Sequence, residues 1–251
     1  QTFLNLQPGT DASLVNAIIS VIIKEKLHDE KYIEKRTDKF KTLNSAITKN
    51  DISKAVKLTG VSQDAIEEAA RIYANAENAI ILYGNGITQH RSGNDNVKSL
   101  VNLALLTGNV GKECSGIYPL MGQNNGQGAF NMGALPDFYT DSQPISDINV
   151  RKKLEKIYKT KLSKNKGLQI REMFDAASKG KVKAMYVMGA DPVMSEPDTT
   201  KVKKALSKLD FLVVQDIFMS NTAQYADVVL PAACFAEKDG TFTNLERRVQ
   251  R

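Results

Sequence analysis

The chain has 251 residues, 42% of them hydrophobic and 25% charged, with a formal net charge of +6. That is the composition of a globular protein of one large domain or two ordinary ones. No apolar stretch approaches the roughly 20 residues of a membrane span, and the opening QTFLNLQPGTD does not resemble a signal peptide. Cys114 and Cys234 lie far apart with no CxxC, which argues against a zinc or iron–sulfur site built by this chain alone and points to a reduced, cytoplasmic setting.

Asp11 follows the turn QPGT and reads as an acidic cap for a helix with Leu14, Ile18, Val21 and Ile22 on one face. A second, short helix is expected over Asp29–Arg36. His28, in KEKLHDEK, is expected to be exposed. Ser62 opens a helix in which Ala65, Ile66, Ala69, Ile72 and Tyr73 recur at helical spacing. Ala79–Tyr83 is continuously apolar and ends in glycines, the pattern of a buried parallel strand running into a ligand-facing loop, YGNGITQH. His90 closes that loop and is a candidate to touch ligand. Asn94–Thr107 returns to helix and stops at Gly108.

Asn109 to Asp147 has no clear periodicity and contains GQNNGQG, Gly122 to Gly128. Its carboxamides, Gln123, Asn124, Asn125 and Gln127, sit between glycines and offer neutral donors and acceptors to a large polar ligand. The run Arg151–Lys166 holds eight Lys/Arg against one acid, Glu155. A solvated helix face and loop is the expected reading, since no nucleic-acid motif accompanies the charge. A second series follows: helix to Gly180, strand Lys183–Met188 breaking at GADP, helix Asp198–Lys208, strand Phe211–Val214 leading into QDIF, and the strand ADVVLP.

Alternating helices and strands predict an α/β architecture with mainly parallel sheets flanked by helices. The boundary falls between residues 121 and 122, giving subdomains 1–121 and 122–251. Ligands in such sheets sit beyond the carboxyl ends of strands, so YGNGITQH, MGADP and QDIFMSNTA are expected to join GQNNGQG around one polar cleft. Neither GxGxxG nor the phosphate loop GxxxxGK[ST] is present, which disfavours a nicotinamide dehydrogenase or a P-loop enzyme. Asp191, a polar loop residue, is expected to tolerate Ala without loss of the fold.

Six segments in order, ILYGNGITQH, LVNLALLTGNVG, GQNNGQGAFNMGALPD, VMGADPVMSEPD, LDFLVVQDIFMSNTAQYADVVLPA and FAEKDGTFTNLERRVQR, resemble the molybdopterin oxidoreductase family. The likeness runs from Leu6 to Arg251. It is nearest to the catalytic alpha subunits of formate dehydrogenases and more distant to the large iron–sulfur subunit of respiratory NADH dehydrogenase. The resemblance implies two Rossmann-like subdomains and two molybdopterin guanine dinucleotides carrying molybdenum or tungsten. It also implies formate oxidation to CO2, with electrons passed to iron–sulfur clusters.

Residue by residue, the likeness places one guanine nucleotide at QPGTD, with Gly9 and Asp11. Gly84, Gly86, Gln89, Gln123, Gly189, Asp191, Gln215 and Asp216 fall near the second dinucleotide, and Glu246 and Arg248 are weaker candidates. No metal ligand is expected here. The family's iron–sulfur domain, its Cys or selenocysteine ligand and its closing barrel are absent, and the first residue is not Met. The chain therefore reads as an internal fragment that is inactive alone. Its expected partners are the missing amino- and carboxyl-terminal domains and iron–sulfur electron-transfer subunits, with no nucleic acid and no membrane insertion. Met121 stands where formate-specific members carry a substrate-orienting Arg, and this departure also admits a structural, electron-relay subunit without active metal.

Overall fold

The computed structural model describes residues 2–48 and 51–251. They form two compact units, Gln1–Gln123 and Asn124–Arg251, so the division falls inside GQNNGQG.

The first unit is mostly helical. It runs α1 (Asp11–Lys24), α2 (Glu30–Arg36), α3 (Phe40–Ile47), α4 (Ile52–Thr59) and α5 (Gln63–Asn75). Then come β1 (Ile80–Tyr83), α6 (Asn85–Thr88), α7 (Gly93–Leu106) and β2 (Gly116–Pro119). The sequence shows one apolar face on α1, yet the structure buries eight of its residues, with Ile19 and Ile22 fully enclosed. α1 packs against α3, α4, α5 and α7. A helix apolar nearly all round belongs at the centre, and each fully buried Ile contributes roughly 1.5–3 kcal/mol. Asp11 does not cap α1. Thr10 holds the cap position, and its hydroxyl donates to the Gln7 carbonyl instead.

α3 and α4 are not among the expected helices; Phe40, Leu43 and Ile47 and then Ile52, Ala55 and Val56 do recur at helical spacing, but each pattern covers only about two turns. Asp51 caps α4 by accepting from the Ser53 amide. His28, expected in solvent, has a side chain only 10% exposed, and its ring lies 5.3 Å from that of Phe40. Its neighbours in sequence are charged, but the fold turns the ring against α3.

β1 and β2 pair in parallel, Ile80 opposite Gly116 through Tyr83 opposite Pro119. β1 is buried on one face only. Ile81 and Tyr83 pack on the core, while Ile80 and Leu82 are exposed. The continuous apolar run thus hides a period-2 division of labour.

The second unit contains α8 (Gly126–Asn131), the short antiparallel pair β3 (Phe138–Tyr139) and β4 (Gln143–Pro144), α9 (Ile148–Tyr158) and α10 (Ile170–Ser178). β5 (Ala184–Met188), α11 (Pro192–Ser195), α12 (Thr199–Leu206), β6 (Phe211–Asp216) and β7 (Val228–Pro231) follow. A hairpin of β8 (Phe242–Thr243) and β9 (Val249–Gln250) ends it. The order β5-β6-β7 is parallel throughout. Leu212 and Val214 of β6 are buried in a cluster with Phe174 and Ala177 of α10 and Val202, Ala205 and Leu206 of α12. The strand's odd-numbered partners face the other way, so one sheet face carries the core.

The segment 109–147 is less irregular than its sequence suggests. β2 begins it, α8 occupies the second half of GQNNGQG, and β3 and β4 follow. These elements are short, four, six, two and two residues. None is long enough to display a period.

Candidate functional site

In the first unit the parallel pairing of β1 and β2 brings two candidate loops side by side at one sheet edge. The Leu120 amide donates to the Tyr83 carbonyl at 2.6 Å. A Cβ placed on Gly84 would stand 3.8 Å from the Leu120 oxygen, and one on Gly122 would stand 3.8 Å from Asn85 Nδ2. Gly84, Gly86 and Gln89 therefore share an edge with Met121 and Gln123. Gly84 leads into α6, and Gln89 ends it by donating its amide to the Asn85 carbonyl. Gln89, His90 and Gln123 are exposed, and Met121 is half-buried. Above Gly86 there is open space, with no heavy atom within 4 Å of the Cβ position.

Gly9 and Asp11 are braced elsewhere in this unit. The Gln7 amide donates to the Thr59 carbonyl at 2.8 Å, which ties the QPGT turn to the end of α4. Gly9, at φ +83°, is exposed with open space above it. The turn feeds the amino end of α1, whose first amides precede any in-helix acceptor and favour a negative ligand.

In the second unit β5, β6 and β7 gather Gly189, Asp191, Gln215 and Asp216 at one edge. The Gly189 amide donates to the Gln215 carbonyl at 2.9 Å. The Tyr186 hydroxyl holds the Gln215 side-chain oxygen at 2.5 Å. Asp216 Oδ1 accepts from the Ile217 amide, and its carbonyl accepts from Ala232.

Asp191 differs from the sequence expectation. Its Oδ1 accepts from the Thr222 amide at 3.0 Å and the Thr222 hydroxyl at 2.6 Å. Its Oδ2 accepts from the Asn221 amide and the Asn221 Nδ2. Burial pushes this carboxyl up, but the bonds from Thr222 and Asn221 outweigh it and hold it below the usual carboxylate range. Both oxygens clamp the loop after β5 to the loop after β6, so a substitution here acts on the fold itself. Asn221 and Thr222 were missed because the pairing spans some thirty residues of sequence.

GQNNGQG also divides its labour. Asn125 Oδ1 accepts from the Thr243 amide at 3.0 Å, and Gln127 Nε2 donates to Asn131. These contacts commit Asn125 Oδ1 and Gln127 Nε2 to the fold. A Cβ on Gly128 would meet Asn125 Oδ1 at 2.2 Å, so a larger residue there has to displace that side chain. Gln123 and Asn124 are exposed. Glu246 and Arg248, also exposed, lie in the β8–β9 turn, which closes when the Arg248 amide donates to Asn244 Oδ1. Among the described residues no cluster of three or more His, Cys, Asp or Glu could hold a metal ion.

Parallel strands whose carboxyl ends run into open, glycine-lined turns place this chain among the α/β proteins, in which ligands sit beyond those strand ends. The sequence model of the molybdopterin oxidoreductase family matches residues 2–251, and the chain belongs to that family. It is 53% identical over 248 residues to the F420-dependent formate dehydrogenase subunit alpha of Methanocaldococcus jannaschii, covering 99% of this chain and 36% of that protein. It is 41% identical over 247 residues to formate dehydrogenase H of Escherichia coli, covering 98% of this chain and 34% of that protein. The chain thus spans about a third of the length of these relatives. Among solved structures, acetylene hydratase from Pelobacter acetylenicus superposes with a TM-score of 0.74 at 23% identity, over 98% of this chain and 36% of that one. That likeness establishes the shared fold.

The family implies a molybdopterin cofactor bearing molybdenum or tungsten. The residues present suit its organic part. Gly9, Gly86 and Gly189 leave the backbone uncovered; Gln89 and Gln123 lie exposed in the first unit, and Gln215 and the partly engaged carboxylate of Asp216 lie by Gly189 in the second. No helix among the described residues is long and apolar enough to cross a membrane.

Proposed function

We propose that this chain is the cofactor-cradling part of a molybdenum- or tungsten-dependent formate dehydrogenase that oxidises formate to CO2 and passes electrons to iron–sulfur clusters. The observation that supports it is the gathering of open glycine turns at each parallel-sheet edge, in a chain more than 50% identical to a formate dehydrogenase alpha subunit. The metal, held by two pterin–guanine dinucleotides, supplies the two-electron redox chemistry. The chain's residues bind and orient. In the first unit Gly84, Gly86, Gln89 and Gln123 offer backbone and carboxamide donors to a dinucleotide, and in the second unit Gly189, Gln215 and Asp216 offer polar groups suited to the same kind of ligand. Gly9 and the first turn of α1 receive the other nucleotide, where a carboxylate such as Asp11 accepts paired donors from a guanine edge. Asp191 acts through Asn221 and Thr222, fixing the loop on which these groups sit.

Met121 favours a second reading, a structural electron-relay subunit, because a thioether cannot orient a carboxylate by a charge-assisted fork. Metal and pterin analysis of the intact protein separates the two. Molybdenum or tungsten with pterin, plus formate-dependent dye reduction, is expected; iron–sulfur clusters without either metal would establish the relay.

A further inference from the structure

The run Arg151–Lys166 carries a surplus of positive charge greater than the +6 of the entire chain, so the rest is on balance slightly acidic. α9 supplies its helical half. Leu154 is the helix's buried residue. At 100° per residue, Lys152 and Lys156 fall on the arc opposite it and Lys153 on the flank away from Glu155, and all three are exposed. None has an acid within 4.0 Å among the described ion pairs, which here comprise Arg151 with Glu155 and Lys166 with Asp137. Glu155, the one acid in the run, is turned to the flank, where it also accepts from the Leu162 amide at 3.0 Å.

Lys152 and Lys156 lie one turn apart, and like charges at that spacing destabilise a helix. The flank of α9 uses an acid at the same spacing to compensate a cation. The outward face does not. Lys159, Lys161 and Lys164 continue the exposed charge past the helix end.

We propose that the outward face of α9 is a docking surface for an acidic protein. Charge complementarity specifies the partner, since a lysine face without local counter-charges gains when carboxylates are brought against it and steers their approach. A nucleic acid fits less well. Tyr158 is the run's one aromatic, and its hydroxyl is paired with Thr140, so no series of rings offers a base-stacking platform. An anionic membrane fits less well too. The exposed apolar residues Ile148 and Ile157 are half a helical turn out of phase and cannot enter one apolar layer together.

The inference is independent of the cofactor assignment. The test uses the intact holoenzyme and three fluorescent probes: poly-L-glutamate, duplex DNA and phosphatidylserine vesicles. Poly-L-glutamate is expected to bind most tightly at matched charge, with affinity falling as salt is added. Lys152→Glu, Lys153→Glu and Lys156→Glu together should weaken that binding by about tenfold or more. The corresponding Gln triple variant should show an intermediate loss, which guards against a folding defect. Lys203→Glu with Lys204→Glu, on α12, should leave it within about twofold. Equal binding by the α9 variants, no binding of poly-L-glutamate, or tighter binding of DNA or vesicles would each overturn the proposal.

Discussion

Asp191→Ala removes four hydrogen-bond acceptances at once, two from Asn221 and two from Thr222. Asn221 is exposed, so its donors find water when the carboxylate goes. Thr222 is 0% exposed, and a buried donor left unpaired costs about 1–3 kcal/mol. Its hydroxyl can rotate, its amide cannot. The expected loss is therefore about 2–4 kcal/mol for Asp191→Ala, or a fall of roughly 5–15 °C in Tm for a chain of this size. Asp191→Asn keeps the shape but sets an NH2 group against the donors, and should lose about half as much.

The carboxyl's folded pKa lies below its ordinary value. Its contribution is consequently present above the unfolded pKa of about 3.9 and disappears as pH falls through the folded value. Thermal melts by circular dichroism at pH 7 and at about pH 3 check both parts. The gap between wild type and variant should be wide at neutrality and shrink in acid. Equal melting temperatures at pH 7, or a gap unchanged in acid, would refute the clamp.

Gly128→Ala drives a Cβ to 2.2 Å from Asn125 Oδ1 and should cost about 1–3 kcal/mol as that side chain is displaced from the Thr243 amide. Chemical denaturation of Gly128→Ala, Asn125→Ala and the double variant should give a sum far from additive, because the two residues share one contact. If Met121 marks the substrate position of a formate-oxidising centre, Met121→Arg should tighten inhibition of the holoenzyme by azide or formate about tenfold or more; unchanged inhibition would remove that argument. Gly86→Leu fills the open space above the first-unit edge. It should lower the pterin and metal content of purified holoenzyme while leaving Tm within a few degrees, and full occupancy would displace that turn from the cradle.

Much of the scaffold was legible because long elements display their period. α1, α5 and α7 carry apolar residues at helical spacing, and Ser62 caps α5 by accepting from the Ala65 amide as its sequence position suggests. β5, β6 and β7 could be placed because apolar runs end in GADP, in QDIF and at Pro231. α3, α4 and α8 were lost to brevity, and the one-sided burial of β1 could not be told from a fully covered strand. His28 shows the converse. Charged neighbours in sequence say nothing about which ring a tertiary contact will cover.

The order of glycine turns, carboxamides and apolar runs fixes, by itself, the α/β class and the family, since those depend on local backbone preference and on a pattern spread along the whole chain. Tertiary structure alone decided which polar residues are spent on the fold. Asp191 and Asn125 look like ligand-facing groups until Thr222 and Thr243, each distant in sequence, are seen donating to them. A carboxylate or carboxamide has a fixed number of lone pairs, and only three-dimensional proximity determines whether the chain has already filled them.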